Sequence, residues 1–379
     1  MSTGNNGFKF LSINYLYEGL VLDEDVYDSE GILTLLRKNT ALTANHIIRL
    51  KQLKGMNQNI RVSAAMHKKL IENGLPKVFE QKYLEDSLGY TQVEKGTSDM
   101  FKNVEKSGSV SYDQASELSD SLSKTVTQAD PALIFQCING YNEVDEYLYR
   151  HSVNVPLINA LMGKWLNLPQ EEISLLVIGG LMHDIGKTMV PQEILNANRR
   201  LTDEEYEIIK KHATYSYELI SKDKNFNEAV CKIALHHHEK MNGSGYPSKL
   251  VADQIPLYAR ITSISDIYDA MVSQRVYKKA NSPFKILADL AEQKFSDLDM
   301  KLVELFTRMM PIELTGKSVL MTDGSVATVR HVDINDMEYP YVEMNKQILK
   351  TNDEFNCISM IHDGAEIDFN LHLTNIHKA

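Results

Sequence analysis

Two runs between Leu181 and Pro247 constrain this chain more than any other text in it. The first reads Leu181-Met182-His183-Asp184-Ile185-Gly186-Lys187. The second reads His236-His237-His238-Glu239-Lys240-Met241-Asn242-Gly243-Ser244-Gly245-Tyr246-Pro247, and both are too rich in metal-ligating side chains for ordinary core or surface. With His151, His212 and Asp266 added, the set becomes His151, His183, Asp184, His212, His237, His238 and Asp266. Each falls on or at the end of a predicted helix, so a helical bundle can project all of them into one cavity. A lone histidine on an apolar helix face is usually a satisfied core residue. Asp266 weighs against that here, because a carboxylate between Ile264 and Ile267 needs a charge partner once buried. Adjacent residues such as His183 and Asp184 differ by about 100° around a helix, so at a helix end both can approach one cation from different directions. Mixed imidazole and carboxylate sets suit Fe, Mn or Zn.

The rest of the chain supplies the scaffold. Phe8 to about Val62 reads as strands and then a helix: Leu20-Val21-Leu22 and Ile32 to Leu36 are separated by turn chemistry, and Thr43 can cap a helix carrying Ile47, Leu50 and Leu53 that ends at Gly55. Ser63 to Asp130 is polar and helix-friendly, with breaks expected at Gly89, Gly96 and Gly108. In it Leu118, Leu122 and Val126 form one narrow apolar stripe, which needs a partner on its own domain or on a second copy of the chain.

After Asp130-Pro131, Val144, Leu148, His151, Val155, Ile158, Met162 and Trp165 alternate at spacings of four and three, which predicts one buried helix face, kinked beyond Pro156. Further helices are predicted from Pro169 to His183-Asp184 with Gly186 as the stop, from Thr202 through His212, from Asn227 to Lys240, from Ile255 to Arg275, and from Ser282-Pro283 to about Met310. Thr202 and Glu205 have capping-box spacing. Beyond Pro311 the text turns to strands, with Ser318 to Met321 and Val326 to Val329 joined through Asp323-Gly324 as a hairpin.

At 379 residues with 43% hydrophobic and 24% charged side chains, a sizeable core is expected. A net charge of -11 argues against a surface that coats nucleic acid, while an anionic small ligand stays open where basic residues gather. Cys137, Cys231 and Cys357 form no knuckle or framework and read as free thiols. The polar start from Met1 to Gly7 and the lack of a long apolar run lead to the expectation of no membrane span and a cytoplasmic location.

The order of motifs resembles an HD-GYP domain, the branch of the HD phosphohydrolases associated with hydrolysis of cyclic di-GMP. The matching text is Arg150-His151-Ser152, His183 to Lys187, Lys211-His212, His237-His238-Glu239, Gly243-Ser244-Gly245-Tyr246-Pro247 and Asp266-Ile267-Tyr268-Asp269-Ala270. The fold implied is mainly α: an HD-type helical bundle over 131–310, a small N-terminal α+β module over 1–62, a helical linker over 63–130 and a small C-terminal β unit over 311–379.

By the same resemblance, His151, His183, Asp184 and Asp266 hold one divalent metal, and Asp184, His212, His237 and His238 a second, Fe or Mn. Tyr147 stands where some members place the Glu of a third site, which implies two ions. His236 is a spare. Asp184 and Lys187 are the implied catalytic groups, Lys187 neutralising charge on the phosphoryl oxygens. Lys187, Arg275 and Lys278 are implied to meet phosphate, with Lys279 on the surface, and Gly243 and Tyr246 to border a guanine. Asp269 is either a partner that orients a ligand or Lys187, counted with the substrate contacts, or a plain helix-surface carboxylate. Asn242 replaces the usual Asp of the loop, keeping turn geometry and losing a charge.

The activity implied is hydrolysis of cyclic di-GMP to pGpG and on to GMP. Two rivals stand beside it: a catalytically weak protein that binds cyclic dinucleotide and signals, and a phosphodiesterase for cyclic GMP-AMP. A diguanylate cyclase (GGDEF) partner and a homodimer complete the implied contacts.

Overall fold

The computed structural model describes residues 8–12, 16, 19–27, 34–54, 59–63, 77–128, 147–197, 199–272, 282–292, 295–322, 325–344 and 347–360. The N-terminal unit contains β1 (Phe8–Ser12), β2 (Val26–Tyr27), β3 (Thr34–Leu36), α1 (Ala44–Lys54) and β4 (Asn59–Ser63). β1 pairs antiparallel with β4, and β2 with β3. Thr43 caps α1 as its sequence predicts, its hydroxyl accepting from the His46 backbone N–H at 3.3 Å. Leu20, Leu22, Leu42, Ile47, Leu50 and Val62 close a small core of their own.

Two helices follow, α2 (Lys77–Ser107) and α3 (Tyr112–Gln128). The breaks expected at Gly89 and Gly96 do not occur: α2 runs through both and ends at Gly108, whose φ is 65°. Gly96 is there for closeness, since a Cβ would sit 2.6 Å from a Leu118 methyl. Leu118 and the buried Leu122 pack into the chain's own core, which decides between the two partners the α3 stripe left open for these residues. The side chain of Val126 lies outside the described residues.

That core is built around α4 (Tyr147–Trp165), antiparallel neighbours of which include α5 (Gln170–Met182). The sequence predicts one buried face for α4. Instead every residue from His151 to Gly163 is buried, because α2, α3, α5 and α10 (Leu257–Val272) surround it. Its polar residues reach across to the neighbours: Asn159 Nδ2 donates to the Leu176 carbonyl at 3.1 Å and to Thr262 Oγ1 at 2.9 Å, pinning three helices together. An unpaired buried amide would cost about 1–3 kcal/mol, so this residue also fixes their register. α4 continues through Pro156, where Gly180 of α5 comes so close that a Cβ would lie 2.9 Å from the proline Cα.

Between α5 and α10 lie a 3-10 turn (Ile185–Met189), α6 (Gln192–Leu195), α7 (Asp203–Lys210), α8 (His212–Ile220) and α9 (Glu228–His236). The capping box at the start of α7 is present, with Thr202 accepting from Glu205 N–H at 3.2 Å and Glu205 from Thr202 N–H at 2.9 Å. The last predicted helix is two, α11 (Pro283–Ala291) and α12 (Met300–Leu314), and Pro311 lies within the second rather than before the strands.

The C-terminal sheet holds β5 (Ser318–Met321), β6 (Val326–His331), β7 (Tyr341–Met344), β8 (Gln347–Lys350) and β9 (Cys357–Met360), all antiparallel, in the order β8-β7-β6-β5-β9. The expected β5–β6 hairpin forms, Leu320 facing Val326, while its Asp323-Gly324 tip is outside the described residues. Val319, Met321, Val329 and Val342 join the same core as the helices. Among the described residues no helix is long and apolar enough to cross a membrane. Cys231 and Cys357 are free and buried, and Cys137 is outside the described residues.

Candidate metal centre

All seven predicted ligands meet at the ends of α5, α7 and α9 and on the facing sides of α4 and α10. They form two groups: His151, His183 and Asp266 in one, Asp184, His212, His237 and His238 in the other, with ligand atoms in each lying within 4.8 Å of one another. Asp184 touches both. Its Oδ2 is 3.4 Å from His183 Nε2 and 3.6 Å from His151 Nε2, and its Oδ1 is 3.3 Å from His212 Nε2 and 4.0 Å from His237 Nε2. His151 Nε2 lies 3.1 Å from Asp266 Oδ1, and His238 Nδ1 3.7 Å from Asp266 Oδ2.

Three of the imidazoles are aimed by one local device. His183 Nδ1 donates to the Gly180 carbonyl at 2.6 Å, His212 Nδ1 to Ile209 at 2.6 Å and His237 Nδ1 to Ala234 at 2.9 Å, each three residues back in the last turn of a helix. Carbonyls in a last turn are open to outside donors, and since a carbonyl only accepts, the proton is fixed on Nδ1. That leaves each Nε2 as a bare lone pair and makes it a better ligand. The helix ends therefore matter. The sequence predicts helices running to Lys240 and through His212, whereas α9 stops at His236 and α7 at Lys210, with His212 opening the next helix.

His151 is aimed differently. Its Nδ1 donates to Asp269 Oδ2 at 2.6 Å, and Asn154 Nδ2 donates to the other oxygen, Oδ1, at 2.8 Å. Asp269 is fully buried behind His151, with 0% exposure, so it takes the orienting position and not that of a surface carboxylate. Asn154 is a residue that sequence reasoning missed. Its signal was there: a polar side chain one turn after His151 on a helix that is otherwise core.

Gly186 is not a helix stop. Its φ is not positive, and a Cβ would lie 2.2 Å from the His212 carbonyl oxygen and 2.4 Å from Ser216 N. The missing side chain lets the Lys187 turn press onto α8, and Gly186 N–H donates to Ser216 Oγ at 2.8 Å. Lys187 Nζ pairs with Asp184 Oδ2.

In the glycine loop, Glu239 is buried and accepts from Ser248 N–H at 2.7 Å and Leu250 N–H at 3.1 Å, holding the loop in place. His236 Nδ1 lies 3.6 Å from Glu239, away from the ligand groups. Asn242 Oδ1 accepts from Ser244 N–H at 2.9 Å, the turn role expected of it. Gly243 has φ 79° and abuts Val251, so the loop's own packing explains it. Tyr246 stacks on His238 with ring centroids 4.7 Å apart. Arg275, Lys278 and Lys279 lie outside the described residues.

The electrostatics match the donor set. Burial pushes the His212 imidazole down to about 4 and His238 to about 3, and holds His237 well below its usual range. Burial alone would raise Asp184 and Asp266, but Lys187 and His183 beside the first, and His151 and His238 beside the second, keep both carboxyls well below the usual carboxylate range. Burial also works against a charged His151, yet its bonds to Asp266 and Asp269 win and raise it to about 9. His212, His237 and His238 thus offer neutral nitrogens that face the anionic oxygens of Asp184 and Asp266, while His151 favours its charged form between Asp266 and Asp269. His183 Nε2 and Asp184 Oδ1 are buried without a hydrogen-bond partner, and acceptors face each other at 3.3 Å between His212 Nε2 and Asp184 Oδ1. Lone pairs so arranged repel unless a cation lies among them, so the residues fit bound metal.

Residues 141–302 match the family model described as the HD domain. The segment is similar to an HD domain, and the motifs it contains resemble those of the HD-GYP type. Among curated relatives, a cyclic di-GMP phosphodiesterase of Pseudomonas aeruginosa is 31% identical over 61% of this chain and 55% of its own length. A cyclic di-GMP phosphodiesterase response regulator of Xanthomonas campestris is 37% identical over 40% of each chain. A 3'3'-cGAMP-specific phosphodiesterase of Vibrio cholerae is 33% identical over 46% of this chain and 33% of its own. The chain thus spans about half or less of the length of these relatives.

Proposed function

We propose that the HD domain hydrolyses cyclic di-GMP to linear pGpG and then to GMP, with two divalent ions, iron or manganese, in the cluster. The observation that carries this reading is the convergence on Asp184 of imidazole nitrogens that cannot donate to it, with the Lys187 ammonium on the same carboxylate. The names of the relatives support the substrate class.

In this reading His151, His183, Asp184 and Asp266 hold one ion, and Asp184, His212, His237 and His238 the other. When bound, the ions supply Lewis-acid charge and a water nucleophile at neutral pH. The chain's own groups do the rest. Lys187, one turn beyond Asp184, neutralises charge that builds on the phosphoryl oxygens as the P–O3′ bond breaks. Asp269 and Asn154 hold the His151 ring. Tyr246 borders the side of the cluster where a guanine would lie, Gly243 is assigned to the same guanine through the loop it shares with Tyr246, and Arg275 and Lys278 are assigned to the second phosphate, Arg275 in bidentate fashion. The parts at 1–62, 63–130 and 311–379 flank the HD domain as accessory units.

The test uses the full chain loaded with Mn, or with Fe under anaerobic conditions, incubated with cyclic di-GMP and in parallel with 3'3'-cyclic GMP-AMP, and read by chromatography. Expected are pGpG and then GMP, with turnover lost in Asp184→Ala. Binding without linear product under either metal would sink the enzyme reading in favour of a dinucleotide-binding signalling protein. A second substrate reading, cyclic GMP-AMP, is favoured by the relative with that specificity in its name, and faster turnover of that dinucleotide would select it.

A further inference from the structure

The metal cluster continues outward into a row of rings whose far end, Tyr206, has no part in the proposed chemistry. His238 stacks on Tyr246, and Tyr246 also lies edge-on to His212, with centroids 6.4 Å apart. Lys210 Nζ sits 5.7 Å from the Tyr246 ring centroid and 5.4 Å from that of Tyr206. The row therefore runs from the ligands through Tyr246 and Lys210 to Tyr206.

Position along α7 explains why. Tyr206 and Lys210 are four residues apart and share one face, and the capping box at Thr202 fixes the start of the helix that carries them. Lys210 is held over both rings and also pairs with the exposed Glu207. Tyr206 is different from the other members: its ring is 51% exposed, although it stands beside a buried cluster. A large aromatic left in water is unremarkable by itself. This one shares a cation with Tyr246, which itself stacks on the ligand-type His238, so its flat apolar face lies at the outer end of the row that leads from the cluster.

We propose that Tyr206 is a substrate-binding residue that stacks on a purine base of the cyclic dinucleotide, with Lys210 holding the ring in place. This rests on the cyclic-dinucleotide reading of the same site. Every cyclic dinucleotide joins its phosphates to bases through a single ribose, so a base must come to rest beside the cluster. An aromatic face there accepts any purine, because stacking depends on the π-face and not on hydrogen-bond pattern.

The test compares the metal-loaded full chain with Tyr206→Ala and Tyr206→Phe, measuring KM and kcat for cyclic di-GMP along with bound metal. Removing one base–aromatic stack should raise KM about tenfold, change kcat less than KM, and leave metal content as it is, while Phe restores KM. An unchanged KM in Tyr206→Ala overturns the proposal. So does an equal fall in kcat and metal content, which would make Tyr206 a packing residue. If the wild-type chain turns over neither dinucleotide, the enzyme reading fails and the same variants are compared by equilibrium dialysis with cyclic di-GMP. Weaker binding by Tyr206→Ala then supports the stack, and equal binding overturns it.

Discussion

Asp269→Asn probes how the cluster is held. The carboxylate is fully buried and accepts two hydrogen bonds, from His151 Nδ1 at 2.6 Å and Asn154 Nδ2 at 2.8 Å. A carboxamide has one accepting oxygen, so its NH2 must face one of these two donors. Either His151 loses its anchor and the ring can turn, or two donors confront each other across Asn154. Loss of the outer partner of a ligating histidine lowers metal affinity by about 10- to 100-fold, or about 1.4–2.8 kcal/mol. His151 belongs to only one of the two ligand groups, so the loss should fall on one ion. With two ions bound as proposed, equilibrium dialysis against limiting Mn, followed by elemental analysis, should find the variant holding one ion fewer than the wild type. Wild-type affinity and stoichiometry in the variant would refute the orienting role. Loss of both ions with a collapsed melting temperature would make Asp269 a structural residue instead.

Gly186→Ala should lower the melting temperature and weaken metal binding together, because a Cβ 2.2 Å from the His212 carbonyl forces α8 and the Lys187 turn apart. Overpacking of this kind costs about 1–3 kcal/mol, and a variant that melts like the wild type would show the turn can give way freely. Burial pushes the Cys357 thiol up to about 12. Its neutral form is thus favoured in the fold, and the stability it contributes is present below the unfolded value of about 9 and lost as pH rises through about 12. At about pH 8, peptide mapping after iodoacetamide should find Cys357 unlabelled in the native protein and labelled in denaturant. Fast native labelling would contradict its burial.

The gathering of these seven residues was legible because chemistry restricts them: few folds tolerate His183-Asp184 and His237-His238 together with Asp266 on an apolar helix. The local signals that depend on neighbouring residues also read correctly, as Thr202 with Glu205 and the β5–β6 hairpin demonstrate. The misreadings share a cause. Gly96 and Gly186 look like punctuation in sequence, but each is glycine because another helix comes too close for a side chain, and that is a tertiary fact. The pattern on α4 suggests one apolar face, while Asn154 and Asn159 on its other faces are buried through partners on α5 and α10 that no local window contains. Asp269 could be weighed only evenly, because the same spacing serves a surface carboxylate and a buried one.

The carbonyl anchors on His183, His212 and His237 have a consequence for how such a site can change over time. Each ring's direction and tautomer are chosen within a stretch of four residues. The linkers between these helix ends carry no part of that choice, so they can lengthen, shorten or acquire new contacts while the nitrogens keep pointing where they did. Ligand geometry is inherited piecewise, and substrate preference is free to drift around it.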